Sequence, residues 1–327
     1  MYKSIESEQL EFVRNTLLIN HFCKIILLCN ENDCFAIPLK GISLLLRTYK
    51  DYSRNVGDID LFVAEKDIEN FSKLLSTIGY IPRTPEKNSV RLKSKGKFDM
   101  IHRDKNYCDL DIHIDLINKK WFKLSTGDFT SFVLNRISII EHNNLKINIL
   151  SNIDEWLYLA QHYCFHMFSD NKWLKDLYLI QRNFSDADIA ELTTIAQNFH
   201  FERVVTAVSR RLKIAFPQED IKTPDMLSGK HVIFDSISVA NPKITNKFKN
   251  RIIAIYWEFI FIHNRKSRIK SYMHLLFPQL YIIMDIYNIK YLTIAILIYP
   301  LHIILLFLSS VFCISLGLHY FFQNKRR

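Results

Sequence analysis

Arg54-Asn55-Val56-Gly57-Asp58-Ile59-Asp60-Leu61-Phe62-Val63 alternates acidic and apolar residues after a glycine, and about fifty residues on Asp109-Leu110-Asp111-Ile112-His113-Ile114-Asp115 does the same. A period of two is the mark of a strand, in which successive side chains point to opposite faces. Asp58 and Asp60 then share one face of the first strand, while Ile59, Leu61 and Val63 take the other. The second strand carries Asp109, Asp111, His113 and Asp115 on one face and Leu110, Ile112 and Ile114 on the other. Carboxylates crowded on a dry face repel one another, so this face needs cations. Laid side by side, the two strands converge three or more carboxylates on one place, a ligand set that suits a hard divalent ion such as Mg²⁺ or Mn²⁺. Ions held in this way activate an attacking hydroxyl and neutralise a leaving pyrophosphate, which points to nucleotidyl or phosphoryl transfer.

Outward from these strands, Leu10, Val13, Leu17, Leu18, Phe22 and Ile25 recur at helical spacing between about Ser7 and Leu28. The apolar run Cys34 to Leu39 leads through Lys40-Gly41 into a second helix containing Leu44, Leu45 and Leu46. Helical spacing returns over 66–78 and stops at Gly79, and the polar stretch from Pro82 to Gly96 reads as a loop. Phe98–Arg103 and Cys108–Leu116 read as paired strands around Asp104-Lys105-Asn106, and Leu145–Leu150 as a further strand. Ser151 with Asp154 fits an N-cap and acidic first turn, opening a helix through Phe168. From there to about residue 285 the pattern is mostly helical, with a linker-like stretch around Pro217–Lys230.

With Pro38-Leu39-Lys40-Gly41 before a helix, R-x-x-G-D-x-D-L-x-V over Arg54–Val63, and Asp111-Ile112-His113, the chain resembles the uncharacterised nucleotidyltransferase family of the polymerase-β-like superfamily. Ile149-Leu150-Ser151 with Asp154, then Leu157, His162, His166, Trp173-Leu174 and Asp176 follow in the same order, so the likeness covers about residues 35–180. The resemblance implies an α/β (α+β) polymerase-β-like fold with a small mixed sheet followed by a helical region. It implies that Asp58, Asp60 and Asp111 bind Mg²⁺ (or Mn²⁺) and are catalytic. Lys40 and Gly41 would face the nucleotide's triphosphate, with Arg54, Gly57 and His113 beside it. The superfamily usually has a Gly-[Gly/Ser] pair where this chain has Lys40-Gly41-Ile42. His162 and His166, four residues apart on one helix face, are candidates for acceptor binding or for a place in a helical core. The partners expected are an NTP such as ATP and a hydroxyl or phosphate acceptor.

The rest of the composition sets limits. The chain has 327 residues, 49% of them hydrophobic, and a net charge of +10. Only seven residues are glycine, and neither G-x-G-x-x-G nor G-x-x-x-x-G-K-[ST] occurs, which excludes the two commonest phosphate-cradling loops. The basic clusters at Arg265–Lys270 and Lys325–Arg327 flank an apolar C-terminus, favouring lipid head groups over specific nucleic acid. Six cysteines among apolar neighbours, with no C-x-x-C, read as reduced core residues. Glu6, Glu8 and Glu11 interrupt the N-terminus, so no signal peptide is read there. From Tyr291 to Asn324 the chain carries no Asp, Glu, Lys or Arg. A helix of about 20 apolar residues spans a bilayer core. Three regions are therefore expected: a catalytic domain over 1–150, a helical region over 151–290, and a transmembrane or re-entrant segment over 291–322. Nucleotide supply then requires the catalytic domain to be cytoplasmic, on a membrane-associated protein. Two competing readings are a membrane-associated glycosyltransferase that holds its metal with Asp58-x-Asp60, and an inactive nucleotidyltransferase fold used as an interaction module. Only 57 residues precede Asp58, too few for a glycosyltransferase's nucleotide-binding half.

Overall fold

The computed structural model describes residues 5–83, 96–117 and 128–224 apart from Met167, together with scattered stretches between 226 and 308, chiefly 280–287 and 291–305. It divides into two compact units, one of residues 1–118 and 130–155 and one of 119–129 and 156–327.

The first unit is built on a five-stranded mixed sheet in the order β1 (Ala36–Leu39), β2 (Ile59–Val63), β5 (Leu110–His113), β4 (Lys97–His102), β3 (Tyr80–Pro82). Only the β2–β5 pair is parallel, and all its other pairs are antiparallel. Every residue of β1 and β2 is buried, as expected where a sheet is covered on both faces. Ile59, Leu61, Leu110 and Ile112 are each no more than 1% exposed and form the apolar face that the alternation requires. Helix α1 (Ile5–Glu31) packs on α2 (Lys40–Arg47) and α3 (Ile68–Thr77), and α2 packs in turn on β1 and β2. A separate hairpin, β6 (Ser138–His142) and β7 (Leu145–Ile149), lies against β1 and α1.

Helix α1 buries Leu18, Ile19, Phe22, Ile25, Ile26 and Cys29. Its stretch Gln9–Glu31 is also long and apolar enough to cross a membrane, with a mean hydropathy of 1.3. A core helix and a signal sequence meet the same criterion, and besides its buried face α1 exposes Leu10, Phe12, Val13, Leu17 and Leu27.

Helix Asn152–Phe165 starts where the sequence expects, since Ser151 Oγ accepts from the Asp154 N–H at 3.1 Å. In the second unit, Asn171–Gln181 is capped by Asp170, and Asp186–Asn198 by a reciprocal Ser185–Asp188 box. Glu202–Ala215 packs against both helices through a face that includes Val204, Val205, Val208 and Leu212. Of the expected membrane segment, Leu292–Leu305 is an apolar helix with Leu292, Leu297 and Leu301 exposed, shorter than a span requires. Residues 309–322 lie outside the described residues.

Candidate active site

The parallel pairing of β2 with β5 sets Asp60 directly beside Asp111, and Phe62 beside His113. On the far side of β5, β4 brings Asp99 opposite Asp111 and Lys97 opposite His113. Asp60, Asp111 and His113 each offer a ligand atom within 4.8 Å of the others, the one such group of three found among the described residues. His113 is fully buried, and its Nε2 lies 3.1 Å from Asp60 Oδ1 and 3.5 Å from Asp111 Oδ2.

The cations that this face needs come first from the chain itself. Lys40 Nζ lies 2.5 Å from Asp60 Oδ1, and Lys97 Nζ lies 2.5 Å from Asp111 Oδ2. Burial alone raises the Asp60 carboxyl pKa, but Lys40 and then His113 outweigh it and hold the group below its usual value. Burial likewise opposes ionisation of Asp111, and there His113 and then Lys97 outweigh it and hold the group well below the usual range. Asp58 lies at the exposed lip, one residue before β2. Its pKa is raised, first by the desolvation its neighbours impose and then by the charge of Asp60. One acceptor is left over. Asp111 Oδ1 is buried and has no hydrogen-bond partner, a condition it shares with other buried oxygens such as Glu155 Oε1, so what distinguishes it is its place beside Asp60 and His113.

Lys40 reaches Asp60 from an unusual backbone. Its φ is +50°, a left-handed conformation that is uncommon for a residue with a side chain, at the point where β1 turns into α2. No side chain caps the α2 N-terminus. Gly41, next in the helix, has no room for a Cβ: one built there would lie 2.6 Å from Val56 Cγ1 and 3.0 Å from Arg54 Nη1. Its packing against the 54–57 loop thus fixes the approach to β2. Arg54 is buried, and Asn15 of α1 donates to the carbonyls of Tyr52 and Arg54 at 2.7 Å each. A Cβ on Gly57 would meet nothing within 4 Å.

The outer members of the second acidic strand have other partners. Asp109 pairs with Arg83 at the surface. Asp115 is buried, and its Oδ1 accepts from Thr130 Oγ1 at 2.5 Å and from the Ile117 N–H at 3.1 Å. His162 and His166 belong to the second unit, their rings 4.4 Å apart and packed on Trp173 at 4.6 and 5.0 Å. Among the described residues no third ligand joins them.

Two residues of this site escape the sequence reading. Lys97 is legible in retrospect, because Lys97-Phe98-Asp99-Met100 alternates, yet a strand taken to start at Phe98 stops short of it. Asn15, a polar residue inside an apolar helix, gives no sign in the sequence of the loop it holds.

A family model described as an uncharacterised nucleotidyltransferase matches residues 5–217, so the chain belongs to that family. No curated protein matches it.

Proposed function

We propose that this protein is a metal-dependent nucleotidyltransferase that moves a nucleotidyl group from an NTP to a hydroxyl or phosphate acceptor. The observation that carries the reading is the convergence of ligand atoms from Asp60, Asp111 and His113 within 4.8 Å of one another, a group that could hold a metal ion and whose two carboxylates suit a hard divalent cation. Asp60 and Asp111, with Asp58 at the lip, would hold Mg²⁺ or Mn²⁺. Such an ion, when bound, supplies neutralisation of the triphosphate and activation of the attacking oxygen.

The chain's own residues do the rest. Asp111 would serve as a metal ligand beside the attacking hydroxyl, and the His113 ring, 3.5 Å from its Oδ2, would orient it. Lys40, at the start of α2, is placed to take a phosphate as it leaves Asp60, and the first-turn N–H groups of that helix favour negative charge. Gly57 keeps the entrance beside Asp58 open. Arg54, buried under Gly41, supports the loop that presents Asp58.

The acceptor reading rests on the C-terminus. The uncharged stretch Tyr291–Asn324 and the exposed apolar residues of Leu292–Leu305 support membrane association. Nucleotide supply would then put the catalytic unit in the cytoplasm, and a lipid-linked or cell-surface glycan precursor is the acceptor proposed for an enzyme so anchored.

The test is incubation of the full chain with each labelled NTP, Mg²⁺ or Mn²⁺ and a membrane extract. Label should appear in the lipid fraction, and Asp58→Asn should abolish it. Metal-independent labelling, or labelling that survives Asp58→Asn, overturns the catalytic reading; label confined to soluble metabolites overturns only the lipid acceptor.

A further inference from the structure

We infer that Lys97 is an exchangeable counter-ion that keeps Asp111 neutralised in the free protein, gives it up to the incoming metal ion, and then binds the polyphosphate of the nucleotide. The inference rests on the metal-dependent reading above.

Three observations support it. First, Lys97 shares one carboxylate with the candidate metal: its Nζ is 2.5 Å from Asp111 Oδ2, while Asp111 Oδ1 is buried and without a partner. A divalent cation on Oδ1 would stand close to this ammonium and repel it, which loosens the hold of Lys97 on the shared carboxylate. Second, Lys97 has a fixed root and a free end. Its Cα sits in β4 in register with His113, and the preceding Gly96, at φ +63°, accepts from the Ile114 N–H at 2.7 Å and leaves room for a Cβ only 3.0 Å from Asp115 Cβ. The side chain itself is 20% exposed, which gives the ammonium a way out to solvent.

Third, the chemistry of the residue suits exchange. Lysine is a compact, strongly hydrated point charge on a flexible stem, able to trade one anionic partner for another, whereas arginine would lock to the carboxylate in a bidentate fork. A displaced Lys97 remains tethered one strand from Asp111, and the negative charge that arrives with the ion is the nucleotide's polyphosphate. Lys40, paired with Asp60 in the same manner, binds the opposite end of the carboxylate pair. Lys97 thus weakens binding of the bare ion and strengthens binding of the ion with its nucleotide, so the site fills with both together.

These opposite signs are the test. Mn²⁺ binding to the full chain is followed by loss of the free-ion electron paramagnetic resonance signal, with Mn²⁺ alone and with each NTP as a non-hydrolysable analogue. Lys97→Met should bind bare Mn²⁺ at least about tenfold more tightly and the Mn²⁺–analogue complex about tenfold more weakly, with Lys97→Arg binding the bare ion more weakly than wild type. Lys97→Gln serves as a second neutral variant, and circular dichroism checks the fold of each. If the neutral variants leave both affinities unchanged, or weaken both together, the counter-ion inference is overturned while the metal site stands. If the wild type takes up no more Mn²⁺ than Asp60→Asn, the metal-dependent reading fails, and the inference with it.

Discussion

Gly41→Ala places one methyl group where the packing leaves no space. The added Cβ would lie 2.6 Å and 3.0 Å from the two Val56 methyl carbons and 3.0 Å from Arg54 Nη1, against about 3.5–4.0 Å for a relaxed carbon contact. The guanidinium is the far end of a flexible chain and can shift, but Val56 is 2% exposed and cannot. Overpacking of this kind costs about 1–3 kcal/mol. Against it stands the preference of a helix for Ala over Gly, about 1 kcal/mol, because Gly41 is the second residue of α2. The net expectation is a loss of about 1 kcal/mol. Val56→Ala alone removes two buried methyl groups and should cost about 2 kcal/mol. Independent effects would add to about 3 kcal/mol in the double variant, but the space opened at Val56 accepts the new methyl, so the double should lose only about 1 kcal/mol, a coupling of about 2 kcal/mol. Equilibrium urea unfolding of the four proteins, read by circular dichroism, measures it. A Gly41→Ala protein as stable as wild type, or a double variant whose losses simply add, would refute the packing account of Gly41 and leave it as a phosphate-approach glycine only.

Two further outcomes follow from buried groups of the same unit. Burial first, then the neighbouring His102 and Lys24, lower the His21 pKa from 6.5 to about 4, so the native state keeps this ring neutral where the unfolded chain binds a proton. Stability attributable to His21 is therefore full above pH 6.5 and is lost as pH falls toward 4; the loss, about 2 kcal/mol after allowing for partial solvation, should vanish from the pH profile of His21→Gln unfolding. Arg47 donates to Leu150 O at 2.9 Å and pairs with Oε2 of the buried Glu155, whose Oε1 has no hydrogen-bond partner. Arg47→Met should cost about 3–5 kcal/mol by stranding that carboxylate, and Glu155→Leu in the same chain should restore most of it; a double variant no better than the single would show that the ion pair is not the cause.

The central architecture was legible because its determinants are local. Alternation over 58–63 and 109–115 comes from the pleat itself, and it correctly separated the apolar face of Ile59, Leu61, Leu110 and Ile112 from the acidic one. The Ser151–Asp154 start was legible for the same reason, since a cap is written in four consecutive residues. Three strand residues at Tyr80–Pro82 and the exposed strand Ser138–His142 gave too little pattern to be read, being short or polar. Asp109 and Asp115 show the limit within the site: alternation assigns them to the acidic face, but the ordered strand ends at His113, after which Asp115 turns to Thr130, and Asp109 is taken by Arg83. Partners so far apart in sequence leave no periodic trace.

The same limit applies to the inference from crowded carboxylates to metal. On sequence alone, an acidic strand face demands cations, and a divalent ion is the natural supplier. Folding brings two lysines there first, Lys40 across 20 residues and Lys97 across 14, and each sits 2.5 Å from one aspartate. Charge crowding is therefore answered within the chain and is no longer the evidence for an ion. What remains as evidence is finer: ligand atoms of Asp60, Asp111 and His113 within 4.8 Å of one another, with a buried Asp111 oxygen among them that has no hydrogen-bond partner. A scaffold kept only for stability would gain by replacing this group of Asp60, Asp111, Lys40, Lys97 and His113 with apolar residues of similar volume, because buried ion pairs seldom recover their desolvation cost. Counter-ions on flexible stems beside an unsatisfied carboxylate oxygen are instead the arrangement that the proposed exchange of partners requires.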